Sequence, residues 1–68
     1  MTPAEKGERY ARIFRKAGTF LAKGNIARAV EVFKQGLQLA QINHDLKMGE
    51  RFQSEIDRAE ASLKNPEK

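Results

Sequence analysis

Apolar residues recur along this chain at the spacing of helices, and no segment alternates with the two-residue period of a strand. They fall into three blocks. In the first, Tyr10, Ile13, Phe14, Ala17, Phe20 and Leu21 share about 120° of a helical wheel, the face of an amphipathic helix. Thr2-Pro3-Ala4-Glu5 reads as its start: a hydroxyl to cap, a proline at the first helical position, and an acid where a capping box needs one. Lys23-Gly24-Asn25 closes it with a basic last turn, a glycine for the left-handed stop and a new cap.

In the second block Ile26, Ala29, Val30, Phe33, Gly36, Leu37 and Ala40 make one face, which Val32 and Leu39 widen to about half the circumference. A face that wide predicts a central helix with neighbours on both sides. Gly36 costs about 1 kcal/mol relative to alanine in a helix interior, and close approach of another backbone would explain it.

Continuing the same phase would put His44, Lys47 and Arg51 on the core face. Instead the apolar pattern resumes as Leu46, Gly49, Phe52, Ile56, Ala59 and Leu63. A turn near 41–45, capped by Asn43 or Asp45, repairs the phase. No glycine or proline marks this turn, so one long continuous helix is the alternative. The third helix carries opposite charges at helical spacing, Arg51–Glu55 and Glu60–Lys64, and stops at Asn65-Pro66, which leaves 65–68 as a frayed tail.

The expected fold is all-α: a single small antiparallel three-helix bundle, built as a helix-turn-helix hairpin plus a third helix. The helices are placed at about 3–23, 26–41 and 44–64. Phe33 is the expected centre of the core, against Ala17 and Phe20 on one side and Phe52 or Ile56 on the other.

Length and composition narrow the chemistry. The chain has 68 residues, 40% apolar and 32% charged, which suits one small folded domain. A core of this size supplies about 3–5 kcal/mol and leaves little room for a buried catalytic pocket. Cysteine is absent, which excludes disulfides and thiolate metal sites. No run approaches the roughly 20 apolar residues of a membrane span, and the first residues lack the apolar stretch of a signal peptide, so the expected location is cytoplasmic. The formal charge is +4. All of that excess sits in residues 1–23, where six cations oppose Glu5 and Glu8.

The stretch Ile13 to Gln41 resembles a tetratricopeptide repeat. The family spaces a large residue, a small one and an aromatic as Ile13, Ala17 and Phe20 are spaced here. It continues with glycine at the turn, then small, aromatic and small residues, here Gly24, Ala29, Phe33 and Gly36. Lys16 and Gln41 stand where that family has leucine and proline. One repeat is present, so the resemblance implies a hairpin sealed by one added helix. The chain is also similar to three-helix microtubule-interacting-and-trafficking domains, through Lys23-Gly24-Asn25, the Ala29–Phe33 pair and Arg58-Ala59-Glu60-Ala61-Ser62-Leu63-Lys64, with Glu55 where those domains have tyrosine. Both resemblances imply a binding module.

No catalytic constellation assembles. His44 is the single histidine, and its neighbour Asp45 does not converge with it on a helix. Ser54 and Ser62 have no histidine placed as a base, Asp57 and Glu60 are flanked by Arg58 and Lys64, and no phosphate-cradling glycine run is present. The expectation is therefore a protein without enzymatic activity or cofactor. Two surfaces are its candidates. Val32, Leu39, Ile42 and Met48 are candidates for self-association as a homodimer or for docking a partner helix or peptide between helices. Arg9, Arg12, Lys16 and Lys23 form a basic stripe for an acidic protein partner or, less expectedly since no aromatic interleaves for stacking, for nucleic acid.

Overall fold

The computed structural model describes residues 2–64 and consists of three helices: α1 (Pro3–Ala22), α2 (Ile26–Ile42) and α3 (Leu46–Lys64). Two tight turns make sequence neighbours antiparallel, and the result is the all-α three-helix bundle expected from the apolar pattern. The expected frayed tail, 65–68, lies outside the described residues.

α1 begins with a complete capping box. The Glu5 N–H donates to the Thr2 hydroxyl (3.2 Å) and the Thr2 N–H donates to the Glu5 carboxylate (2.9 Å), so two otherwise unpaired donors are satisfied. The backbone bond from Thr2, followed by the contact with its hydroxyl, holds the Glu5 carboxyl below its ordinary range. Desolvation opposes this, and the nearby Arg9 adds a lesser attraction.

The two turns are built alike. Lys23 ends α1, Gly24 takes φ +78°, the Gly24 N–H donates to Leu21 O (3.0 Å) and the Asn25 N–H donates to Phe20 O (2.8 Å). Asn43 ends α2, His44 takes φ 54°, the His44 N–H donates to Gln41 O (3.1 Å) and the Asp45 N–H donates to Ala40 O (2.8 Å). Each is a Schellman stop, in which the last carbonyls of one helix are satisfied by the two residues that leave it. The residue after each stop then caps the next helix: Asn25 Oδ1 accepts from the Arg28 N–H (3.4 Å) and Asp45 Oδ1 from the Met48 N–H (3.2 Å). The chain is therefore broken at 43–45, the continuous-helix alternative does not occur, and the cap is Asp45 while Asn43 closes α2. The turn lacks a glycine because His44 itself adopts the left-handed conformation.

α2 is the middle layer. Both other helices pack on it, while no Cα atom of α1 lies within 8 Å of a Cα atom of α3 among the described residues. Side chains bridge that gap. Phe52 of α3 is fully buried and stacks on Phe14 of α1 with ring centroids 4.8 Å apart. It also meets Tyr10 at 5.8 Å and Phe33 at 6.4 Å. Phe33 is buried as well, with Phe14 at 5.9 Å and Phe52 as its aromatic neighbours, so the expected centre moves from Phe33 to Phe52.

Gly36 makes this possible for a different reason from the expected one. A β-carbon there would lie 2.5 Å from Cζ of Phe52, so it is a ring and not a second backbone that needs the space. Around the aromatic group lie buried Ala17, Ala29, Val30, Val32, Ala40, Ile56 and Ala59. The Tyr10 hydroxyl accepts from Asn43 Nδ2 at 3.2 Å and ties α1 to the end of α2. Among the described residues, ion pairs within 4.0 Å are Lys34–Glu60, between α2 and α3, and Glu55–Arg58, within α3. The expected Arg51–Glu55 and Glu60–Lys64 pairs are not formed at that distance. Arg51 instead lays its guanidinium over the Phe14 ring, 5.2 Å from the centroid.

Candidate functional site

The second turn opens a groove between the end of α2 and the start of α3. Its volume is about 610 Å³. Leu37 and Ala40 line it from α2, and Gly49 and Leu46 from α3. The sequence builds it from two local choices. Gly49 has no side chain to fill the space beside Leu37 and Ala40, where a β-carbon would sit 3.9 and 4.0 Å away. Leu46 follows the Asp45 cap immediately, so it stands at the first position of α3 and is 81% exposed. The polar rim is Gln41, His44, Asp45, Glu50 and Gln53.

The four apolar residues expected to form a surface patch differ in exposure. Val32 is buried in the core and presents no surface. Leu39 and Met48 are half-buried and pack against that core. Ile42 alone is strongly exposed, at 69%, beside the turn that shapes the groove. The apolar groove thus lies on Leu37, Ala40, Leu46 and Gly49, none of them a residue of the expected patch. The signal in the sequence was the Leu46–Gly49 pair at the start of the third block. Its exposure depended on how α3 rotates about its own axis, which periodicity does not fix.

Of the basic stripe, Arg9, Arg12, Lys16 and Lys23 are all exposed on α1. Arg9 and Arg12 share a shallow polar depression with Glu5 and Glu8, and none of the four cations has a described carboxylate within 4.0 Å. They lie on solvent-facing α1 and line no part of the groove.

No group of three or more His, Cys, Asp or Glu side chains is placed to hold a metal ion among the described residues. None of the described helices is long and apolar enough to cross a membrane. The chain matches no known protein-family model, no curated protein and no solved structure.

Proposed function

We propose that this chain is a protein-interaction module without catalytic activity, which docks one helix of a partner in the groove between α2 and α3. The observation that carries this reading is the groove itself: apolar, open, lined by two small and two large aliphatic residues, and bounded by a polar rim. A leucine-sized anchor on a partner helix would sit over Ala40 and Gly49, between Leu37 and Leu46. The resemblance of Ile13–Gln41 to a tetratricopeptide hairpin supports the same reading, because hairpins of that kind bury their faces by stacking against further helices.

The test is amide chemical-shift mapping with a synthetic 18-residue amphipathic peptide carrying leucines at helical spacing. The expected shifts cluster at Leu37, Ala40, Leu46 and Gly49, and Leu46→Lys, at an exposed position, abolishes them while the melting temperature holds. Binding that survives Leu46→Lys, or that moves no groove resonance, overturns the reading. The competing use of the chain is nucleic-acid binding through the exposed Arg9, Arg12, Lys16 and Lys23 stripe. It predicts steeply salt-dependent affinity for a generic duplex and shifts confined to α1.

A further inference from the structure

The net charge of the molecule is +4, which taken alone favours acidic partners. The groove has the opposite local sign. Its lining holds two carboxylic side chains, Asp45 and Glu50, one histidine, His44, and no lysine or arginine. The cations of the same helix, Lys47, Arg51 and Arg58, line a neighbouring depression that Glu50 and Glu55 border as well, and none of them lines the groove itself. Lys47 does not pair with Glu50 within 4.0 Å, and Arg51 is held on the Phe14 ring. Glu50 is exposed, with its carboxylate uncommitted to any described ion pair. Asp45 accepts the Met48 N–H with one carboxylate oxygen and lines the groove beside the turn.

On this basis we infer that the occupant of the groove is a basic amphipathic helix, with an aliphatic stripe flanked by lysine or arginine. This deepens the docking function proposed above and rests on it. The aliphatic stripe meets Leu37, Ala40, Gly49 and Leu46, and the flanking cations meet Glu50 on one rim and Asp45 beside the turn. At low ionic strength the Debye length is about 30 Å at 0.01 M, so the α1 cations repel the same peptide from a distance. Local attraction must outweigh that repulsion, which makes the preference a sharp test of this surface.

Two synthetic peptides with the same leucine stripe decide it, one flanked by lysines and one by glutamates. Each is titrated into the wild-type chain and into Glu50→Lys, with affinity read from the groove resonances alone. The expected result is a preference of about tenfold for the lysine peptide on the wild type, shrinking or reversing in Glu50→Lys and weakening with added salt. Equal or tighter binding of the glutamate peptide at the groove, or a preference that Glu50→Lys leaves unchanged, overturns the charge inference and leaves the docking function standing. If neither peptide moves a groove resonance, the docking function itself falls.

Discussion

Glycine serves opposite purposes at different positions of this chain. Gly18 sits inside α1 with open space where a β-carbon would be, so nothing in the fold offsets its low helix propensity. Gly18→Ala is expected to stabilise by about 0.5–1 kcal/mol, read as a rise in melting temperature. Gly36→Ala gains the same propensity and loses more, because its β-carbon would enter the space of a ring that is fully buried and has nowhere to go. A net loss of about 1–3 kcal/mol is expected in urea unfolding. His44 is the counterpart at the second turn. A side chain at φ 54° is strained where glycine is not, so His44→Gly should stabilise by up to about 1 kcal/mol in the same assay. The sequence exposed the penalty at Gly36 but not its cause, since helical spacing says nothing about which ring on another helix lies opposite. It left the second turn open for a related reason: histidine does there what glycine does at the first.

At the scale of the elements, the starts and stops were the most legible features. Thr2, Pro3 and Glu5 form the box their spacing implies, and Gly24 and Asn25 stop one helix and cap the next. These are local contacts between residues a few positions apart, which a one-dimensional reading captures. Charge pairing was less legible, because spacing along α3 offered Glu60 a partner at Lys64 while the fold offers it Lys34 across the interface.

The capping box also predicts a pH response. The Glu5 carboxyl is held below its ordinary value in the folded chain, so its contribution is fully present above the unfolded value and is lost as pH falls through the lower folded value. Protection of the first-turn amides of α1, taken relative to the intrinsic exchange rate at each pH, should therefore fall on acidification across that window. Glu5→Gln should exchange faster at neutral pH and lose most of the dependence. A wild-type first turn that is insensitive to acid would count against the box.

For the whole molecule, the decisive residue is Phe52. It reaches Tyr10, Phe14 and Phe33, and through them joins all three helices. Phe52→Ala removes a fully buried ring, at a cost of about 3–5 kcal/mol. That is comparable to the entire stability expected for a chain of this length, so the variant should show a collapsed near-ultraviolet signal and no cooperative melt at room temperature. The position of the groove was legible only in part at this scale. The half-circumference face of α2 announced two neighbours, and two neighbours are present. Which residues stay uncovered depends on the rotation of α3, and that rotation is set by Phe52 fitting over Gly36, a pairing visible only once the helices are assembled.

The separation of the α1 and α3 backbones has a kinetic consequence. Every backbone-level helix contact joins elements that are consecutive in the chain, so most of the fold is reached by closing two short hairpins independently. Chains dominated by such local contacts fold in roughly microseconds to milliseconds. The packing of the α1 rings on Phe52 is the exception, because Tyr10–Phe52 and Phe14–Phe52 close the longest loops among the aromatic contacts and it can form only after both hairpins have docked on α2. It belongs late on the folding route. Phe14→Leu should therefore leave the refolding rate nearly unchanged and accelerate unfolding, placing the loss of stability almost wholly on the unfolding arm of the chevron.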